Sequence, residues 1–232
     1  MSHSHRTIVY IDGYNFYYGR LKGTPYKWLD VVKLFENSII NQQLPTTKMT
    51  LVKFFTADVL NNFSSSGSGQ QMQQRYHNAL TTLYPDKLTI IKGYHSAESV
   101  WMPKCEDANT SRRVDKKDAH KVWRLNEKQT DVNIALHLYR DALQGKADSF
   151  VVCSSDSDLE PALQIIKDAE LSVKVGIVFP SDGRPNTRPP NKRLSDLADW
   201  TRSHIRDDEL SASQLPPKIA TKKKPIIKPD YW

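Results

Sequence analysis

Five short runs of branched and aromatic residues recur along the chain, with helically spaced stretches between them. The runs are RTIVYID (6–12), MTLVKFFTA (49–57), KLTIIKGYH (87–95), SFVVCS (149–154) and SVKVGIVFP (172–180). Most are nearly continuous in apolar residues rather than alternating, which is the pattern of strands buried on both faces. Segments 27–39, 71–84, 130–145 and 158–170 repeat apolar residues at three- and four-residue spacing, as helices packed on a sheet do. Pro85 stops the second of these, and the third runs from Thr130, read as its N-cap, to a C-terminal stop at Gly145. The alternation predicts an α/β fold with a central, mostly parallel sheet of about five strands flanked by helices. Residues 96–128 break the pattern and read as an irregular excursion with room for a hairpin. A short helix near 193–202 is expected to close the domain.

In an open sheet of this kind, ligands bind beyond the carboxyl ends of the strands, where the strand order reverses. The first run ends in Asp12 and the fourth in Ser154-Ser155-Asp156-Ser157-Asp158. These two strands can be neighbours, which would bring Asp12 and Asp156 together. Asp131 opens the helix leading into the fourth strand. Three carboxylates in one cleft repel each other unless protonated or neutralised. A hard divalent cation with oxygen ligands would neutralise them and suit phosphodiester hydrolysis. Each acid also has a plainer reading. Ser157 and Glu160 have the spacing of a capping box, Asp131 suits a helix start, and Asp12-Gly13 suits a turn.

On the 130–145 helix, Val132, Ala135, Leu136, Tyr139, Ala142 and Leu143 form one apolar face at about 100° per residue. Asp131 falls at its edge and His137 on the far side. Tyr10, Tyr14, Phe16, Tyr17 and Tyr18 surround Asp12 in sequence, and either pack in the core or stack on unpaired bases.

The net charge of +7 is unevenly spread. Residues 210–232 hold five lysines against Asp230, and 184–193 (RPNTRPPNKR) has four cations and no acid. Arg112, Arg113 and Lys128 belong to a third basic stretch. Such a balance points to nucleic acid or another anionic partner, although a lysine tail taken alone serves solubility equally well. No dinucleotide fingerprint, Walker loop, HExxH or G-x-S-x-G motif is present. Cys105 and Cys153 lack zinc or disulfide spacing, and no apolar run reaches membrane-spanning length. A cytoplasmic, non-membrane protein is expected. The expected division is one α/β domain over 1–205 and a loose basic, Pro/Lys-rich tail over 206–232, open to a protein partner or a second copy.

Taken together, VYIDGYNFYYG, EKQTDVNIALHLYRDAL and FVVCSSDSDLEPALQIIKD resemble the NYN domain family of PIN-like, Rossmann-like ribonucleases, over roughly residues 6–180. The resemblance implies an acidic Mg²⁺ or Mn²⁺ site at Asp12, Asp131 and Asp156. Asn15 accompanies Asp12, and Asp158 either assists from behind or holds a second metal. It implies hydrolysis of RNA to leave a 3′-hydroxyl. Asn15, Ser154, Ser155, Lys128, Arg112, Arg113, Arg188 and Arg193 are the candidates for contacting the substrate. Many members carry another acid where this chain has His137. The alternative on the same fold is an inactive RNA-binding or protein-interaction module.

Overall fold

A computed structural model describes residues 5–63, 67–105, 117–185, 187, 189–230 and 232. In chain order the elements are β1 (His5–Asp12), α1 (Gly13–Phe16, continued by a π-helical turn Tyr17–Leu21), α2 (Val31–Lys33, continued by π-helical Leu34–Ile40), α3 (Asn41–Gln43), β2 (Thr47–Thr56), α4 (Gly69–Leu83), β3 (Leu88–Lys92), β4 (Tyr94–Pro103), β5 (Ala119–Lys128), α5 (Thr130–Leu143), β6 (Ser149–Cys153), α6 (Glu160–Asp168), β7 (Lys174–Val178), α7 (Lys192–Leu197), β8 (Trp200–Arg202), α8 (Asp207–Ala212), β9 (Lys218–Ile219) and β10 (Ile226–Ile227).

The main sheet has the order β3-β2-β1-β6-β7-β8, and every neighbouring pair is parallel. The strand order reverses between β1 and β6, so the crevice of this α/β fold opens at their carboxyl ends. Alternate residues serve opposite faces. Val9, Ile11, Val52, Val151 and Cys153 pack with Trp28, Val31, Phe35 and Leu80 on one side. Ile8, Tyr10, Phe55, Phe150 and Val152 pack with Ile134, Leu138, Leu163 and Ile166 on the other. Double-sided burial explains why these strands read as continuous apolar runs.

Six strands stand where about five were expected. The segment expected as one short helix divides into α7 and the edge strand β8. Asp199 makes the division: its amide donates to the Val175 carbonyl at 2.8 Å, and its carboxylate accepts from the Val175 amide at 2.7 Å. Trp200 then lies over Gly176, where a Cβ would stand 2.2 Å from the indole. Three residues are too few to show strand periodicity in the sequence.

Helix α5 turns a different face to the sheet from the one its apolar pattern indicated. Thr130, Ile134, Leu138, Asp141 and Ala142 are buried, whereas Val132, Leu136 and Leu143 are more than half exposed. The misleading residue is Asp141. It is fully buried because Lys53 donates to its carboxylate, as does the Tyr10 hydroxyl at 2.6 Å. His137 accordingly lies toward the sheet, 3.4 Å from Lys53 Nζ and edge-on to Phe55.

The last residues are a packed strap rather than a loose tail. Leu210, Leu215 and Ile219 are buried. The Leu215 amide donates to the Trp28 carbonyl, and Trp28 Nε1 donates to the Pro216 carbonyl, both at 2.9 Å. The ring of Trp232 reaches Trp28 and Tyr76. The apolar residues here come singly among prolines and lysines, so no periodicity announces their burial. Residues 96–128 contain an antiparallel hairpin of β4 and β5, standing apart from the main sheet. Among the described residues no helix is long and apolar enough to cross a membrane.

Candidate functional site

The ends of β1 and β6 are laced together by side chains. Asp12 caps α1, its Oδ1 accepting from the Asn15 amide at 3.0 Å. Its Oδ2 accepts from Ser154 Oγ at 2.9 Å. Ser154 Oγ in turn accepts from the Asp156 amide at 3.1 Å, and Asp156 Oδ1 accepts from the Asp158 amide at 3.0 Å. The Asn15 side-chain oxygen takes the Ser155 amide at 3.0 Å. Gly13 permits the tight exit from β1, since a Cβ there would stand 2.7 Å from both the Phe54 ring and the Phe55 carbonyl.

From the other side, α5 begins at Thr130 after Gln129, which adopts a left-handed φ of 73°. Gln129 is therefore the N-cap position, and Thr130 instead donates its hydroxyl to Glu127 Oε1 at 2.5 Å. The Ser157–Glu160 capping box does not form either. Asp156 caps a 3₁₀ turn at Ser157–Leu159, and α6 follows it.

The carboxylates share one electrostatic field. Asp12 is 4% exposed, and burial pushes its pKa up to about 7. Its bonds from Asn15 and Ser154 pull the other way, while Asp131 and Glu127 add repulsion. Asp131 rises to about 6 through burial and then through Asp156, Glu127 and Asp158. Burial, with Asp12 adding to it, pushes the Cys153 thiol well up, so that cysteine is an unreactive core residue.

Among the described residues no three histidine, cysteine or acidic side chains converge as a finished coordination set. The all-oxygen donor chemistry and the raised proton affinity fit a hydrated Mg²⁺, which keeps several waters and needs only one or two carboxylates, or Mn²⁺.

The other expected residues are distributed as follows. Ser154 is fully buried and holds Asp12 instead of facing the crevice. Asn15 and Ser155 are half-buried at the rim. Lys128 ends β5, 3.7 Å from Glu98, and Arg193 on α7 lies 3.6 Å from Glu160. Arg112, Arg113 and Arg188 lie outside the described residues. Of the tyrosine-rich stretch, Tyr10 and Phe16 are core residues, whereas Tyr14 and Tyr18 meet at the surface as a tilted pair with centroids 4.4 Å apart. Tyr14 also meets His95. Sequence reasoning passed over Glu127. Its position three residues before the helix-opening Thr130 was the available signal.

The family described as "NYN domain" matches residues 6–196. The chain belongs to the NYN domain family. This NYN domain is also 38% identical to 6-hydroxy-3-succinoylpyridine 3-monooxygenase HspA of Pseudomonas putida (strain DSM 28022 / S16), over 98% of this chain and 75% of that protein. Among solved structures it is similar to a Vibrio parahaemolyticus protein of unknown function, at a TM-score of 0.46 and 14% identity. That match covers 90% of this chain and 97% of the other.

Proposed function

We propose that this NYN domain is a metal-dependent endoribonuclease acting at the β1–β6 crevice. The observation that carries the reading is the hydrogen-bonded chain Asp12–Ser154–Asp156–Asp158, which joins the ends of β1 and β6 where the strand order reverses. Burial, with repulsion from neighbouring acids, raises the Asp12 and Asp131 carboxyls beside it. One or two of the carboxylates Asp12, Asp131 and Asp156 would hold Mg²⁺ or Mn²⁺ and the others would reach it through its waters, with Asp158 beside them. When bound, the ion supplies Lewis-acid polarisation of the phosphate and makes water a stronger nucleophile. The chain's own residues provide orientation. Ser154 fixes the rotamer of Asp12, and Asn15 ties the α1 turn to the β6 loop. Lys128 and Arg193 would meet backbone phosphates by exchanging their contacts with Glu98 and Glu160 for the RNA. In the overall reaction water adds to phosphorus and the bond to the 3′-oxygen breaks, giving a 3′-hydroxyl and a 5′-phosphate.

The test compares RNA cleavage with Mn²⁺ by the natural protein and by an Asp12→Asn, Asp156→Asn double variant. Asparagine keeps the cap acceptors at both sites. Loss of cleavage in the variant is expected, and equal cleavage by the two proteins would overturn the assignment. If calorimetry detects no Mn²⁺ binding and RNA affinity is unchanged in the variant, the inactive RNA-binding module is the better account.

The identity to HspA favours a second reading, oxidative hydroxylation of a hydroxypyridine. One oxygen atom of O₂ would bond to the ring carbon as its bond to the succinoyl group breaks, and the other would complete that group as a carboxylic acid, with two electrons and two protons from a supplied reductant. Incubation with 6-hydroxy-3-succinoylpyridine, O₂ and a reduced nicotinamide tests it directly. Product formation without RNA cleavage would replace the nuclease reading.

A further inference from the structure

The β4–β5 hairpin leaves the sheet at Gly93 and returns at Lys128. A Cβ at Gly93 would stand 2.3 Å from the Lys128 carbonyl and 2.8 Å from Thr130 Oγ1, so both strands are rooted beside the start of α5. Residues alternate between the two faces of a β-ribbon. Register places Trp101 opposite Lys121, Ser99 opposite Trp123, Ala97 opposite Leu125 and His95 opposite Glu127, all on one face. That face therefore begins at the carboxylate field, through Glu127, and beside Tyr14, through His95. It ends in two of the most exposed large side chains of the described residues, Trp101 at 71% and Trp123 at 67%. From Glu127 to Trp123 is four strand residues, about 13 Å.

The two faces of the ribbon differ in charge. On the opposite face both cations are held by one acid, Arg124 at 3.3 Å and Lys128 at 3.7 Å from Glu98, and neither lies beside an exposed indole. On the tryptophan face the acid, Glu127, sits at the root, engaged by Thr130, and Lys121 stands exposed next to both indoles. Phe63 meets Trp123 edge-on, at 5.9 Å and 79°, bracing the indole. Polar and charged residues at 95, 99 and 121 interrupt the apolar surface, unlike the continuous apolar centre of a protein interface. Exposed indoles beside a cation that has no acid in contact among the described residues match the platform that binds single-stranded nucleic acid, bases on the rings and phosphates on the cation.

We propose that the β4–β5 hairpin guides single-stranded RNA, stacking unpaired bases on Trp101 and Trp123 and leading the strand inward to the carboxylates. The choice of RNA rests on the ribonuclease reading. Duplex RNA hides its base faces and cannot use such a platform.

The test is fluorescence anisotropy of a short labelled poly(U) oligomer, and of a blunt RNA duplex of equal length, in EDTA and at fixed salt. Trp101→Ala and Trp123→Ala are each expected to weaken single-strand binding at least about 5-fold, the low end for base–aromatic stacking. Trp123→Phe should retain most of the affinity, and Lys121→Gln should reduce the salt slope by about 1. Duplex affinity should be lower and little changed in the tryptophan variants. Unchanged single-strand affinity in the Trp101→Ala, Trp123→Ala double variant would overturn the proposal. So would loss of a concentration-dependent dimer with RNA affinity intact, which would assign this face to a second copy of the chain. Tryptophan-dependent RNA binding by a protein that cuts no RNA with Mn²⁺ would sustain the guide while removing the ribonuclease reading.

Discussion

Lys53, Tyr10 and Asp141 form a charged knot between the sheet and α5. Burial alone would favour the protonated acid, but the bonds from Lys53 and Tyr10 outweigh it and hold the Asp141 carboxyl below the usual range. Lys146 Nζ stands 3.3 Å from its other oxygen. Removing one partner of such a buried pair leaves an uncompensated charge. Lys53→Met should therefore cost about 3–5 kcal/mol in urea unfolding, and adding Asp141→Leu should recover a large part of that loss. His77 is a second case. It is 3% exposed, packed against Phe54, with Nδ1 unbonded among the described residues. Burial, with help from Lys92 and against Asp58, lowers its pKa to about 4. Between there and its unfolded value near 6.5, the unfolded chain binds more protons. Stability should thus fall on acidification through that window, by up to about 3 kcal/mol. His77→Phe should show a flatter profile of urea midpoint against pH.

The buried face of α5 was misassigned because two stripes compete on it. Val132, Leu136, Tyr139 and Leu143 make the more hydrophobic one, and Thr130, Ile134, Leu138 and Asp141 the one that packs. An acid inside the packing stripe argues against burial unless its partner is known, and Lys53 lies on β2, remote in sequence. Leu136→Lys should change stability by no more than about 0.5 kcal/mol. Leu138→Ala should cost about 2–5 kcal/mol, both read from denaturant midpoints. The strands were legible for the converse reason, since double-sided burial writes itself into consecutive residues. The positions of Asp12 at the end of β1, Asp131 in the first turn of α5 and Asp156 just after β6 were legible because strand ends and helix starts locate them along the chain. Glu127 stands three residues before Thr130, but its nearness to Asp131 depends on the hairpin register and on a bond to Thr130. The bond from Ser154 to Asp12 likewise needs the two strands side by side.

Across the whole molecule, the segment from 206 onward completes one side of the core. Arg20 donates to the Ile205 carbonyl at 2.7 Å and pairs with Asp207, while Arg202 pairs with Glu209. Removing residues 210–232 would uncover Trp28 and Tyr76 as well as discarding Leu210, Leu215 and Ile219. Such a truncation should lower the thermal midpoint markedly, with near-ultraviolet circular dichroism reporting the altered tryptophan packing. An unchanged midpoint would return this segment to the status of a dispensable appendage. The basic side chains of the strap remain at its surface, so its charge and its packing are separable by Lys→Gln substitutions at 222–224.

Gly93 gives the hairpin a joint where departure and return nearly touch. An arm attached this way can be lengthened, shortened or exchanged between relatives while the sheet and its acids keep their places. Selection could then rewrite what the protein grips without renegotiating how it folds, and a chimaera grafting another member's arm between residues 93 and 129 would inherit that donor's preferences.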